Sequence, residues 1–135
     1  MPPKVHAIDH LVLTVADIPS TIRFYTSVLG AIADEFAVAD GSTRWALRIG
    51  RQKINLHQAG QEFDPKAARP VPGSADLCFL TDHTSDEWLT HLKDHGVPVE
   101  DGPVSRTGAT GPILSLYFRD PDHNLIEVGT GAKTS

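Results

Sequence analysis

Residues 9–30, DHLVLTVADIPSTIRFYTSVLG, decide the fold, because their pattern returns at residues 75–96 as ADLCFLTDHTSDEWLTHLKDHG. The two stretches align without a gap, so that His10 falls on Asp76 and Gly30 falls on Gly96. Near the end of each half, a second alignment places Asn55 on Glu127. Internal duplication indicates architecture before any single residue is interpreted. The chain is therefore expected to contain two copies of one module.

Each copy has the periodicity of a strand, a helix and three further strands. Apolar and polar residues alternate in residues 8–15, and Asp17 with Pro19 marks the start of a helix that ends at Gly30. In the second copy, Thr84 and Glu87 have the spacing of a capping box. The predicted strands are 8–15, 31–39, 44–49 and 53–58 in the first copy, and 75–81, 97–104, 113–118 and 125–128 in the second.

These elements predict an α+β protein made of two tandem βαβββ modules. Module one covers about residues 6–58, a Pro- and Gly-rich linker covers about 59–74, and module two covers about 75–130. One small sheet with one helix has too little core alone, so the modules are expected to form a single domain over residues 1–135.

Composition excludes several classes of function. A net charge of −5 argues against a nucleic-acid or anionic membrane surface. Apolar runs are only a few residues long, and the start, MPPKVHAIDH, lacks the apolar core of a signal peptide. The single Cys78 stands in the apolar run LCFL and is predicted to be a buried core thiol. We therefore expect a cytoplasmic protein that binds neither nucleic acid nor membrane.

Four polar residues interrupt the otherwise apolar first and last strands of the modules. An unpaired carboxylate in an apolar setting is costly, so Glu127 within LIEV requires a partner. His10, Asn55 and Asp76 occupy equivalent positions by the internal repeat, and together the four would make a divalent-cation site with oxygen and nitrogen ligands. His57 shares the face of Asn55 and is a further candidate ligand or a supporting donor.

Each of these residues also has a structural interpretation. His10 could be a core histidine bonded to the backbone, and Asp76 could cap an element or pair with a neighbouring arginine. Asn55 could be a hydrogen-bonding residue in the wall of a binding site.

Besides Asn55, three further residues are candidates for substrate binding. Arg106 lies in SRTGATGP, a Gly-rich segment predicted to be a loop that closes over a substrate, or else a solvated turn. Tyr117 and Arg119 lie on the strand predicted next to Glu127. The alternative for Arg119 is an ion pair with an aspartate of the Asp120–Asp122 turn.

The opening DHLVLTVADIPSTIRFYTSVLG and the closing YFRDPDHNLIEV resemble the vicinal oxygen chelate superfamily. That superfamily includes glyoxalase I, fosfomycin-resistance thiol transferases, extradiol dioxygenases and bleomycin-binding proteins. The resemblance covers roughly residues 6–130 and implies curved sheets that enclose a cleft. Segments such as PGSADLCFLT and GPVSRTGATGPI are most similar to the small glyoxalase domain-containing proteins and to virulence-associated bacterial members.

The resemblance implies particular metal ligands. His10 matches the superfamily's first-strand histidine, and Glu127 matches its last-strand glutamate. Asp76 stands where a second histidine is usual, and Asn55 stands where glyoxalase I has a glutamate. The glyoxalase I set of two histidines and two glutamates is therefore absent. The two-histidine, one-carboxylate triad of an iron dioxygenase is also absent unless His57 supplies the second imidazole.

The resemblance also implies an activity. The expected protein is a glyoxalase-like lyase or isomerase that uses a divalent ion (Ni, Co, Zn, Mn or Fe) to bind vicinal oxygens of a small substrate and stabilise an enediolate or alkoxide. Glu127 or a neighbouring carboxylate would move the proton. Small members often complete their site between subunits, so a homodimer is expected. The alternatives are a metal-free binding protein that sequesters a ligand, an extradiol ring-cleaving dioxygenase and a thiol transferase.

Overall fold

The computed structural model describes residues 2–131, which form two compact units that divide between Pro72 and Gly73. We call them unit one and unit two. Each described unit contains one helix and one four-stranded sheet in the order strand, helix, strand, strand, strand. The predicted α+β class and the two βαβββ modules are confirmed.

Unit one has its first and last strands side by side at one end of its sheet. Its strand order is β1-β4-β3-β2, with β1 parallel to β4 and the other pairs antiparallel. Parallel strands need a long connection, and the helix and two intervening strands supply it. The elements are β1 (His10–Val15), α1 (Ile18–Ser27), β2 (Ile32–Ala37), β3 (Thr43–Ile49) and β4 (Gln52–Gln58).

One face of this sheet forms the core of unit one. The side chain of Asp17 accepts a hydrogen bond from the backbone N–H of Ser20 at 2.9 Å and so caps α1, as predicted. Tyr25 of the helix is fully buried, as is Leu47 on β3. Burying each such side chain contributes about 1.5–3 kcal/mol. Because strand residues alternate, the residues between the buried ones lie on the opposite face.

Unit two repeats this arrangement with the strand order β5-β8-β7-β6. Its first and last strands, β5 and β8, are again parallel neighbours. The predicted capping box is present, since Thr84 and Glu87 exchange side-chain to backbone hydrogen bonds. The elements are β5 (Asp76–Thr81), α2 (Ser85–Asp94), β6 (Asp101–Gly108), β7 (Gly111–Arg119) and β8 (Leu125–Gly131).

The strand predicted at 97–104 begins four residues later, at Asp101, and continues to Gly108. Val97 instead donates its backbone N–H to Leu92 at the end of α2. Within β6 the register shifts between Asp101 and Val104, where Gly102 has a positive φ of 110°. The Gly-rich segment 105–112, predicted to be a loop, is therefore the second half of β6, a two-residue turn and the start of β7.

Among residues 2–131, no helix has the length and apolar composition needed to cross a membrane.

Candidate functional site

Glu127 lies in the middle of β8, on the sheet face of unit two that points away from the core. Its register partners are Cys78 on the parallel strand β5 and Tyr117 on the antiparallel strand β7. Ser115 donates its hydroxyl to Glu127 Oε2 at 2.6 Å. The acid that interrupts LIEV is thus surrounded by hydroxyl and thiol groups, which can stabilise a carboxylate by hydrogen bonding without neutralising its charge.

Ser115 fixes the orientation of that carboxylate. Ser115 is completely buried, so its hydroxyl is shielded from bulk solvent. A bond from a hydroxyl to an ionised carboxylate at this length is a strong one. No Lys, Arg or His of residues 2–131 forms an ion pair with Glu127. Its charge therefore remains available to a bound cation.

Cys78 is exposed, and the prediction of a buried core thiol was wrong. The apolar neighbours Leu77 and Phe79 suggested burial, but strand alternation turns Cys78 to the opposite face, beside Glu127. Partial burial raises the thiol pKa to about 11, and the charge of Glu127 and a hydrogen bond to it add to the rise. The thiol is therefore protonated at neutral pH.

Tyr117 and Arg106 form a pair on the neighbouring strands β7 and β6. Arg106 Nε donates to the Tyr117 hydroxyl at 3.0 Å. Burial and the nearby charge of Glu127 raise the pKa of Tyr117, while Arg106 opposes the rise. Arg106 pairs in register with Ile113, so it is a strand residue and not part of a mobile lid. Through its hydrogen bond to Tyr117, the register partner of Glu127, Arg106 belongs to the surroundings of that carboxylate.

Arg119 makes its ion pair with Glu100 rather than with an aspartate of the following turn. The Arg119 guanidinium contacts the Glu100 carboxylate through two nitrogens, with Nη2 to Oε1 at 3.1 Å. The carboxylate of Asp120 instead accepts hydrogen bonds from the backbone and the side chain of Asn124. Asp76 lies across β8 from Arg119, because both are register partners of Leu125. The Asp76 side chain makes no hydrogen bond or ion pair within residues 2–131, although its charge acts on Arg119.

In unit one, His10 and Asn55 lie on the sheet face that points away from α1. His10 Nδ1 lies 2.8 Å from Asp9 Oδ2, so its partner is an adjacent carboxylate and not the backbone. Asn55 is flanked by Val12 and Ala46 on the neighbouring strands, and its Oδ1 is buried without a hydrogen bond among residues 2–131. A buried amide oxygen without a partner is uncommon and is free to accept a bond or coordinate a cation.

His57 follows on the same face, opposite Thr14. Its ring packs edge-on against Phe63, with 5.3 Å between the ring centroids. Burial lowers the pKa of His57, and the charge of Arg44 lowers it further while Glu62 opposes this. A guanidinium beside an imidazole disfavours a second cation there.

The individual side chains have chemistry suited to a divalent cation. A carboxylate at Nδ1 holds the His10 ring as in metal sites, where the other ring nitrogen is the ligand. Glu127 and Asp76 are carboxylates without a basic ion-pair partner in the described chain, and Asn55 adds an amide oxygen. Within residues 2–131, no three His, Cys, Asp or Glu side chains form a cluster that could hold a metal ion.

Sequence reasoning missed Ser115 and Arg44. Both could have been found by alternation, since Ser115 lies two residues before Tyr117 and Arg44 lies two residues before Ala46, the register partner of Asn55.

Comparison with known proteins identifies a family for nearly the whole chain. Residues 7–128 match the family model described as the glyoxalase/bleomycin resistance protein/dioxygenase superfamily. The chain is 55% identical over 124 residues to virulence protein STM3117 of Salmonella typhimurium, covering 92% of this chain and 83% of that protein. It is 53% identical over 127 residues to glyoxalase domain-containing protein RDO1 of Mycosarcoma maydis, covering 94% and 69%.

Solved structures and more distant relatives agree with this match. Integron cassette protein VCH_CASS1 from the mobile metagenome of V. cholerae superposes with a TM-score of 0.89 at 55% identity, over 98% of this chain and all of that one. Lactoylglutathione lyase from Agrobacterium tumefaciens gives 0.65 at 28% identity, over 96% of each chain. Metallothiol transferase FosB of Staphylococcus epidermidis is 26% identical over 129 residues, covering 95% and 84%.

Proposed function

We propose, because the chain belongs to the glyoxalase/bleomycin resistance protein/dioxygenase superfamily, that it is a divalent-metal-dependent enzyme of glyoxalase-like type. Its substrate is a small molecule with two adjacent oxygens, and its reaction is that of a lyase or isomerase. A metallothiol transferase and a lactoylglutathione lyase among the similar proteins support transferase or lyase chemistry on a small molecule.

The observation that carries the proposal is the surroundings of Glu127. The Glu127 carboxylate accepts a hydrogen bond from the fully buried Ser115, has no basic ion-pair partner in the described chain and is half-buried. Such a group is costly to maintain unless a cation or a proton-transfer reaction uses it. Neither a surface role nor a packing role requires this arrangement.

The proposal assigns the cation-binding role to His10, Asp76 and Glu127. Asn55 offers its amide oxygen as a hydrogen-bond acceptor to the substrate. His57 is not among the cation ligands, because the charge of Arg44 acts on it. Nickel, cobalt, zinc, manganese or iron suits this mixed nitrogen and oxygen donor set. A bound cation of this kind stabilises negative charge that develops on the oxygens of the substrate.

Glu127 also accepts the proton in this proposal. The hydroxyl of Ser115 keeps the carboxylate in one orientation, and the phenol of Tyr117 lies beside it, held by Arg106. Tyr117 and Arg106 are then placed to donate hydrogen bonds to a substrate oxygen. Arg119, which is occupied by Glu100, contributes mainly through its positive charge.

The proposal further includes a homodimer and a cytoplasmic location. Both follow from the family likeness, and the single Cys78, which can form no internal disulfide, agrees with a reducing compartment.

The experiment that tests this function is solvent-deuterium exchange in a panel of α-hydroxyketones and thiol adducts of α-oxoaldehydes. Metal-free protein, reloaded protein and reloaded Glu127→Gln are compared, with Glu35→Gln as the matched control on an exposed acid of β2. We expect incorporation at the carbon next to the carbonyl only in the reloaded protein and Glu35→Gln. Glu127→Gln should lose at least about 100-fold, as expected for a general base.

Two other results would redirect the function. Oxygen consumption with a catechol, dependent on reloaded iron, would indicate a ring-cleaving dioxygenase. Tight binding of an amphipathic ligand by metal-free protein, with no exchange or turnover in any form, would indicate a sequestering protein and would contradict the proposal.

A further inference from the structure

Two arginines on the outward sheet faces each hold a protein carboxylate with the same two nitrogens. Arg119 contacts Glu100 through Nε and Nη2. Arg48 contacts Asp34 through Nε at 3.0 Å and Nη2 at 3.5 Å. These two N–H groups point the same way and match the spacing of carboxylate oxygens, so this side of the guanidinium is the one suited to a bidentate pair.

Arg44 of unit one presents the same pair of nitrogens without a protein carboxylate. Its Nη1 donates to the Ser42 hydroxyl and, at 3.5 Å, to the Thr43 carbonyl. Its Nε and Nη2 have no acceptor among residues 2–131. Arg51 also lacks a carboxylate partner in that range, but it is an exposed turn residue, whereas Arg44 is half-buried. Partial burial makes a charge-assisted hydrogen bond to Arg44 stronger than one to Arg51.

The guanidinium of Arg44 is held in place before any ligand binds. Its central carbon lies 3.1 Å from the centroid of the Phe63 ring, which stacks on it. Phe63 is positioned by the segment after β4, where Glu62 accepts the backbone N–H of Gly60 at 2.8 Å. An arginine whose plane is already fixed loses less side-chain entropy on binding an anion.

The outward sheet face around Arg44 carries both basic and acidic side chains. Lys53 and His10 are register partners on the same face, and His57 lies beside Arg44 with its ring against Phe63. Asp40 accepts the hydroxyl of Ser42 at 2.6 Å, and the charge of Arg44 also acts on this carboxylate, but the two side chains form no ion pair. The attraction for an anion is therefore local to the Arg44 guanidinium, whose Nε and Nη2 have no acceptor among residues 2–131, since the chain as a whole carries a net charge of −5.

We propose that Arg44, stacked on Phe63 and assisted by His57, is an oxyanion-binding subsite, and that the substrate carries a carboxylate or a phosphonate-type group bound there. Such a subsite would define the substrate of the proposed enzyme as an anion. Its role in catalysis rests on the proposed function. Anion binding itself does not depend on a bound metal. Arg44 thus positions the substrate and takes no part in proton transfer.

The competing explanation is that Arg44 only anchors Phe63. It predicts that loss of Arg44 lowers stability without changing the affinity for anions. The subsite predicts that replacement by lysine, which retains the charge but cannot form a bidentate pair, already weakens binding.

The test uses the full chain, freed of metal by a chelator, and three probes. Benzoate, phenylphosphonate and the uncharged benzyl alcohol are titrated by calorimetry into the natural protein, Arg44→Gln, Arg44→Lys and the control Arg51→Gln. We expect the natural protein to bind at least one anion more tightly than benzyl alcohol. Arg44→Gln should bind it at least tenfold more weakly, Arg44→Lys should lie between, and Arg51→Gln should match the natural protein. The preferred anion identifies a carboxylate or a phosphonate substrate.

Equal anion affinity in Arg44→Gln and the natural protein would overturn the subsite. So would the absence of any anion binding tighter than about 10 mM. A cation titration of the same variants separates this result from the fate of the proposed function. If Arg44 governs anion binding but no cation binds, the subsite stands and the metal-dependent enzyme fails. If cations bind but anion affinity does not depend on Arg44, the subsite fails and the metal-dependent enzyme stands.

Discussion

At the scale of single residues, the chemistry of unit two is set by how one carboxylate is surrounded. Glu127 has Ser115, Cys78 and Tyr117 as neighbours, each with a hydrogen to donate. These neutral donors stabilise the charged carboxylate. The same negative charge acts on the donors, because it opposes formation of a thiolate or a phenolate beside it. The reactivity of Cys78 therefore reports on Glu127.

The first prediction concerns the alkylation rate of Cys78 in metal-free protein. With its pKa raised from 9.0 to about 11, the thiol should react with iodoacetamide about 100-fold more slowly at pH 8 than an unperturbed thiol, despite its exposure. The rate should climb until the pH passes about 11. The raised pKa also adds stability that is complete below pH 9 and is lost as the pH rises toward 11.

The variant Glu127→Gln should speed this alkylation, because it removes the negative charge that opposes the thiolate. Glu35→Gln, an exposed acid in unit one, should leave the rate unchanged. Rates that are equal in all three proteins, or an ordinary rate in the natural one, would show that Glu127 does not act on Cys78.

The second prediction concerns the bond that orients Glu127. Ser115→Ala removes a charge-assisted hydrogen bond inside the protein and should lower the free energy of unfolding by about 1–2 kcal/mol. Ser105→Ala, an exposed serine on the adjacent strand, should change it by less than about 0.5 kcal/mol. Urea unfolding of both variants measures the difference. Equal losses of unfolding free energy in Ser115→Ala and Ser105→Ala would mean that the hydrogen bond from Ser115 to Glu127 does not stabilise the protein.

At the scale of elements, the bulge in β6 is the feature on which Arg106 depends. Gly102 has a φ of +110°, and a Cβ there would lie 2.9 Å from the Cα of Leu116 and also meet the Ser115 carbonyl. The position thus excludes a side chain both by conformation and by close approach of β7. The register after the bulge places Arg106 opposite Ile113, and the Arg106 side chain reaches along the sheet to the Tyr117 hydroxyl.

The third prediction separates the effect of a positive φ from the effect of close backbone approach. Gly41 also has a positive φ, of 85°, but nothing lies within 4 Å of a Cβ added there. Gly41→Ala should cost about 1 kcal/mol of stability from conformation alone. Gly102→Ala should cost at least about 3 kcal/mol, because backbone atoms of β7 must also move. Equal losses in urea unfolding would contradict the close approach.

At the scale of the whole molecule, duplication and alternation explain what the sequence could predict. The repeat at residues 9–30 and 75–96 was enough for two βαβββ modules, because each copy carries its own strand alternation and helix cap. Alternation also placed Asn55 with His57. Alternation also predicts that Cys78 in LCFL faces away from Leu77 and Phe79, but the apolar composition of this run favoured a buried thiol instead.

Other features depend on tertiary pairing that composition does not encode. The segment around Arg106 looks like a loop because Gly and Pro are frequent there, yet pairing with β7 makes it a strand. Arg119 has aspartates nearby in sequence, but Glu100, brought close by strand pairing, is its partner. The contact of Phe63 with Arg44 depends on the path of the chain after β4, which no periodic pattern in the sequence predicts.

The central proposal is that the protein binds a divalent cation and that this binding requires His10 and Glu127. The most direct measurement is calorimetric titration of metal-free protein with Ni²⁺, Co²⁺, Zn²⁺, Mn²⁺ and Fe²⁺. His10→Ala and Glu127→Gln are compared with the matched controls His6→Ala and Glu35→Gln, which alter exposed residues of the same types. We predict about one tightly bound ion per chain, with affinity at least 100-fold weaker in His10→Ala and Glu127→Gln and unchanged in the controls. Binding no tighter than about 100 μM for every metal, or equal affinity in all variants, would contradict the claim.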